Sequence, residues 1–205
     1  MQTSSISSSH QQSSQQDTRE RILATGQALI LGKGFSALGL SEILSAAAVP
    51  KGSFYHYFQS KEGFGVAMLE RYFAEYQVRT EEMLLAADVP ARERLVRYFA
   101  VWQQQAESSA CHKLCLAVKL AAEVSDLSEA MRLALTVGMQ GITERIAVLL
   151  NEVQRDGHLS EEVNTAELAE FLYATWVGAS LLSKVHLQMR PMEVAMQQTK
   201  KILGI

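Results

Sequence analysis

Apolar positions recur along this chain at helical spacing, and the alternating β-branched runs that mark strands are missing. Ile22, Leu23, Leu29 and Ile30 form the apolar side of a first helix, for which Asp17 or Thr18 is the expected N-cap and Gly32 with Gly34 the stop. Phe35 is expected to plug the core just beyond it. Leu40-Ser41-Glu42 opens a short second helix with Ile43, Leu44 and Ala47 inward, ended by Val49-Pro50. A third short helix runs from Lys51 to Phe58, and Gln59-Ser60-Lys61 leads into a long fourth reaching about Ala87. After Pro90 the pattern predicts a fifth helix to Ser108, with Leu95, Val96, Phe99 and Trp102 inward. It then predicts a short sixth over Cys115 to Ala122 and a seventh over Ser128 to Arg155, stopped at Asp156-Gly157. An eighth starts at Asn164 or Thr165 and reaches about Leu187, and Pro191 begins a last short one. Pro50, Pro90 and Pro191 are the only prolines, and each stands where a helical pattern breaks. The expected fold class is all-α, with about nine helices.

Three divisions follow. Residues 1–16 are almost entirely Ser, Gln and other small or polar residues with nothing to bury, so a disordered polar tail is expected there. Residues 17–62 hold three short helices, the second and third joined by a tight turn, which is the layout of a helix-turn-helix. Residues 63–205 form a larger helical body.

The third helix is legible residue by residue. Phe54 and Phe58, four apart, share one apolar face, while Ser53, His56 and Tyr57 share another of small or hydrogen-bonding side chains. Gly52, near the helix start, lets a phosphate approach the backbone. A core-anchored helix with a polar, aromatic outer face suits docking in a major groove.

Charge modifies the picture only slightly. The net charge is −3, but residues 17–61 carry five basic against three acidic side chains, leaving fourteen basic and nineteen acidic for the rest. A mildly basic head on an acidic body fits a DNA-binding module. No run of about 18 apolar residues is present, so no membrane span is expected. The two cysteines, Cys111 and Cys115, do not make a secreted disulfide framework, and a cytoplasmic location with reduced thiols is expected. No G-x-S-x-G, Gly-rich phosphate loop or H-E-x-x-H occurs, and His158 and His186 stand alone, so neither an enzyme nor a cofactor is expected.

The stretch LSEILSAAAVPKGSFYHYFQSKEGFGVAMLE, Leu40 to Glu70, resembles the TetR family of regulators. Gly34-Phe35, the Val49-Pro50-Lys51-Gly52 turn, Phe54-Tyr55-His56-Tyr57-Phe58 and Lys61 carry the likeness. The segments from Cys115 to Ser128 and Trp176 to Lys184 are similar to the branch that governs resistance to reactive electrophiles, so the resemblance covers about residues 17–203. It implies a homodimer made through the last two long helices, bound to an inverted repeat in double-stranded operator DNA and released by a small-molecule inducer. It also implies that Ser53, Tyr55 and Tyr57 meet DNA, with Lys51, Gly52 and His56 close by, and that Ser41 and Lys61 contact phosphates.

Cys115 matches the sensing cysteine of that branch and Lys184 a lysine late in helix eight, although Leu114 stands where the branch tends to have glycine. A thiol reacts as its thiolate, which a helix start or a nearby ammonium stabilises. Other readings stay open: a small buried cysteine, a Cys111–Cys115 disulfide formed on oxidation, or a metal held by Cys111, His112 and Cys115, although consecutive side chains diverge on a helix. The sensor half is equally open to a reversible hydrophobic ligand in a pocket lined by Phe99, Trp102, Met139, Tyr173 and Trp176. A helical adaptor that does not bind DNA is the remaining alternative to a regulator.

Overall fold

A computed structural model of the chain describes residues 4–86, 88–108 and 116–205. Among these it contains nine helices and no strand, so the expected all-α class holds. They are α1 (Ser4–Lys33), α2 (Leu40–Ala47), α3 (Lys51–Phe58), α4 (Lys61–Leu84), α5 (Ala91–Ser108), α6 (Leu116–Val124), α7 (Glu129–Arg155), α8 (Thr165–His186) and α9 (Arg190–Ile202).

The chain divides into two compact units. The first comprises residues up to Arg71 together with Lys119–Leu135; the second comprises Tyr72–Val118 and Thr136–Ile205. The head is thus made of α1–α3, the start of α4, most of α6 and the start of α7.

In the first unit, Ile22, Leu23 and Ile30 of α1 are buried with Ile43, Leu44 and Ala47 of α2, as the spacing predicts. Leu29 is half-buried. Phe54 and Phe58 turn inward to meet Phe64 of α4, with all three ring pairs 5.2–5.7 Å between centroids. Gly34 ends α1 with φ +91°, its N–H donating to the Ile30 carbonyl at 2.8 Å, a left-handed stop that glycine adopts without strain. Gly32 lies inside the helix. The core plug after α1 is Leu38, which is buried, whereas Phe35 is half-buried and lies under the Lys61 ammonium.

The beginning of α1 differs from expectation. The helix starts at Ser4, so Asp17 and Thr18 are internal positions and the polar stretch up to residue 16 continues the helix. That stretch contains neither glycine nor proline, and a helix already nucleated extends through permissive residues with little penalty.

The turn between α2 and α3 is closed by backbone alone. Ala48 takes the left-handed conformation (φ 52°), its N–H donates to Ser45, and the Val49 N–H donates to the Leu44 carbonyl at 3.0 Å. Pro50 then supplies φ −65° at the N-cap of α3.

The second unit is built around aromatics. Leu95 and Phe99 of α5, Leu150 and Val153 of α7, and Ala169 and Trp176 of α8 are fully buried in one cluster, joined by Met192 and Ala195 of α9. The Trp176 indole N–H donates to the Thr199 hydroxyl at 3.0 Å, which in turn donates to the Ala195 carbonyl. Asn164 caps α8, its side-chain oxygen accepting the N–H groups of Ala166 and Glu167. Gly157 (φ 76°) stops α7 at the predicted place. Of the described helices, α7 alone reaches the length and apolarity of a membrane span, yet Ile142, Ile146, Leu149, Leu150 and Val153 on it belong to the buried cluster.

Two glycines on α7 have opposite expected responses to alanine. A Cβ at Gly138 would overlap the inner ring atoms of Phe73, whereas one at Gly141 would meet nothing within 4 Å. Gly138→Ala is therefore expected to destabilise by about 1–3 kcal/mol through overpacking. Gly141→Ala is expected to stabilise by up to ~1 kcal/mol through helix propensity. Thermal unfolding of the two variants checks the opposite signs.

Candidate DNA-binding head and sensor core

The sequence of α3 splits the helix cleanly. Phe54 and Phe58 are 0% and 4% exposed and anchor it, while Tyr55 at 45% exposure projects outward. Lys51, Gly52 and His56 are exposed with it, and Ser53 and Tyr57 are half-buried. The Tyr57 and His56 rings meet edge to face at 5.0 Å, which steadies two of the outward side chains. A Cβ at Gly52 would meet nothing within 4 Å, so the start of the helix stands open to an approaching group. Ser41, the second residue of α2, is exposed.

Lys61 is placed differently from the rest of the set. Its ammonium donates to the Phe35 carbonyl at 2.8 Å and sits 4.7 Å from the Phe35 ring centroid. Burial pushes its pKa down, partly countered by the Glu123 carboxylate. Lys61 therefore ties α4 to the loop after α1, and it reaches a phosphate only with its remaining hydrogens. Ser60 caps α4, its hydroxyl accepting the Gly63 N–H at 2.9 Å.

Sequence reasoning missed the residues that hold this loop from the other side. The Glu123 carboxylate on α6 accepts the backbone N–H of Phe35 at 3.1 Å and of Ser36 at 2.6 Å. Lys119, one turn earlier on α6, donates to the Leu31 carbonyl at 2.5 Å. Burial would raise the Glu123 pKa, but the Ser36 and Phe35 N–H groups and the Lys119 ammonium outweigh it and hold the carboxyl below its ordinary value. These partners lie almost ninety positions apart in the chain, and no local pattern announces such a contact. Arg71, likewise unpredicted, pairs with Glu20 and donates to Gln27 across α1 and α4.

In the second unit the predicted sensor aromatics do converge. Phe99 and Trp176 stack at 4.5 Å with an 11° interplanar angle, and Trp102 lies 6.0 Å from Tyr173 and 6.3 Å from Trp176. Met139 packs half-buried against the same cluster. Lys184 is half-buried in the last turn of α8. Cys115, with Cys111 and His112, lies outside the described residues.

A cavity of about 60 Å³ is lined by Tyr76, Arg79, Thr80, Met83, Tyr98, Val101, Trp102 and Gln105, so Trp102 alone of the predicted set borders it. There the Trp102 indole N–H donates to the Tyr76 hydroxyl at 2.8 Å, which lies 2.5 Å from that of Tyr98. A second, of about 120 Å³, lies between α4 and α7 and is lined by Leu84, Leu85, Val148 and Leu149 with Glu81, Arg145 and Glu152. No group of three or more metal-ligating side chains occurs among the described residues.

A three-helix head with an aromatic anchor beneath its third helix and a polar face outside defines a helix-turn-helix DNA-binding regulator. Comparison with known proteins agrees over both halves. Residues 22–68 match the model for bacterial regulatory proteins of the tetR family, and residues 91–199 match the tetracyclin repressor-like C-terminal domain. The chain is 43% identical over 188 residues to the HTH-type transcriptional repressor NemR of Escherichia coli (strain K12), covering 92% of this chain and 94% of that protein. It is 31% identical over 175 residues to the HTH-type transcriptional repressor DhaR of Mycobacterium sp. (strain GP1), covering 85% and 86%. The crystal structure of reduced E. coli NemR superposes with a TM-score of 0.83 over 91% of this chain and 97% of that one. A TetR regulatory protein from Rhodobacter sphaeroides does so with a TM-score of 0.81 at 30% identity, over 89% and 97%. The chain belongs to the TetR family of transcriptional regulators and is a repressor, not an enzyme. Regulators of this family bind operator DNA and dimerise.

Proposed function

We propose that this repressor works in the cytoplasm as a homodimer on an inverted-repeat operator, and leaves it when a reactive electrophile or oxidant modifies Cys115. The observation that carries the DNA half is the division of α3 into buried Phe54 and Phe58 and an outer face of Lys51, Tyr55 and His56. On this reading Ser53, Tyr55 and Tyr57 meet the major groove, Gly52 and His56 lie alongside, and Ser41, Lys51 and Lys61 contact phosphates. Lys51→Ala is expected to weaken operator and non-operator DNA alike and to reduce the salt dependence of log K by about 0.9, one phosphate's worth. Fluorescence anisotropy across a salt series measures it.

Dimerisation is supported by apolar side chains left outward on α7 and α8. Val137, Val148, Phe171, Leu181, Leu182 and Val185 are 46–71% exposed, an arrangement suited to pairing with a second copy.

For the sensor half, similarity to NemR supports a thiol trigger. On this reading Lys184, which matches a lysine of the electrophile-sensing branch, is the cation that favours the thiolate. The test is to titrate operator-bound dimer with a quinone, comparing wild type with Cys115→Ser and Cys111→Ser. Release from wild type and Cys111→Ser but not from Cys115→Ser is the expected result. Equal release from all three would transfer the trigger to a reversibly bound ligand.

A further inference from the structure

The contact that sequence reasoning missed has a function of its own. α2 and α3 follow α1 through the short segment between Lys33 and Leu40, so how that segment is held bears on where the two helices stand. Its backbone, with the end of α1 that leads into it, is held from three sides. Glu123 takes the N–H groups of Phe35 and Ser36, Lys61 donates to the Phe35 carbonyl, and Lys119 donates to Leu31 in the last turn of α1. Gly34 completes the arrangement. It has φ +91°, which glycine adopts without strain, and a Cβ there would stand 2.9 Å from the nearer Glu123 carboxylate oxygen and crowd its reach to the two amides. One carboxylate accepting two adjacent backbone N–H groups is a charge-assisted pair with a single favourable geometry.

We infer that Glu123 is a positioning residue for operator binding: its carboxylate on α6 clasps the Gly34–Ser36 segment and so sets where α2 and α3 stand in the head. This rests on the reading of the chain as an operator-binding repressor. Glu123 itself touches no DNA on this account. Its effect passes through the loop, and α6, which carries both Glu123 and Lys119, begins at Leu116, the residue that follows Cys115 in the sequence. The clasp is thereby the part of the head nearest in sequence to the proposed trigger.

Glu123→Gln is the informative substitution. The amide keeps the shape but offers one oxygen for two N–H donors and turns its own NH₂ toward the second. Losing a hydrogen bond to a charged group in this way is expected to weaken operator affinity about tenfold. Gly34→Ala disturbs the same contact from the opposite side, so the double variant should bind no worse than the weaker single one.

The experiment measures operator affinity of the full-length dimer for wild type, Glu123→Gln, Gly34→Ala and the double variant. Amide hydrogen exchange is followed in parallel. The expected result is faster exchange at Phe35 and Ser36, unchanged protection in α3, and a shared loss of affinity. Faster exchange at those amides with wild-type affinity would overturn the inference, as would a loss of affinity accompanied by lost protection throughout α3, which is plain unfolding. If Glu123→Gln melts early, affinities are compared at a temperature where its α3 amides keep wild-type protection. Failure of wild type to prefer operator over non-operator DNA would instead sink the repressor reading and take the clasp's role with it.

Discussion

Replacing Phe54 with alanine is expected to unfold the DNA-binding head. Phe54 is fully buried, and its ring lies 5.2 Å from Phe58 and 5.7 Å from Phe64, so it joins α3 to α4. Truncating a buried phenylalanine costs about 3–5 kcal/mol in lost transfer energy and residual cavity. Domain stabilities are only about 5–15 kcal/mol, and a small head sits at the lower end. α3 has eight residues, too few to persist as a helix without its tertiary anchor. Circular dichroism melting should show an early transition for the head while the second unit, centred on Trp176, unfolds as in wild type. Operator binding should be lost at the growth temperature. A variant that melts as wild type would show that the three-ring cluster is not what holds α3.

Arg94→Met is expected to be the comparable lesion in the second unit. Arg94 is buried on α5, donating to the Leu84 carbonyl at 2.5 Å and the Val89 carbonyl at 3.0 Å and pairing with Glu152 of α7. It therefore serves the buried carbonyl at the end of α4, the turn into α5 and a carboxylate together. Methionine preserves most of the volume but leaves those oxygens without their cation, and breaking a buried pair from one side costs about 3–5 kcal/mol. The Glu152 side chain is partly exposed, so water recovers some of this and the lower figure is the better expectation. Replacing Glu152 with leucine as well should restore part of the loss, because the stranded charge is gone. Thermal unfolding of both single variants and the double one measures the coupling; strict additivity would show that the pair contributes nothing.

How much was legible beforehand can be judged from particular residues. The sides of α2 and α3 follow from apolar spacing, and the buried set Ile43, Leu44, Ala47, Phe54 and Phe58 is the one that spacing selects. The stops at Gly34 and Gly157 and the cap at Asn164 follow from turn chemistry. The start of α1 at Ser4 is not legible in the sequence, because a polar composition says what a segment lacks, not which conformation a neighbouring helix imposes on it.

By itself the sequence determined the helices found among the described residues, the inner faces of α2 and α3 and the helix-turn-helix, since each depends on residues within one or two turns of one another. Three things were decided only by tertiary structure. Lys61 is bound to Phe35, Glu123 grips the amides of Phe35 and Ser36, and Phe99 stacks on Trp176. Each joins residues more than twenty positions apart, and which distant groups meet depends on how whole helices pack, a property that no local periodicity encodes.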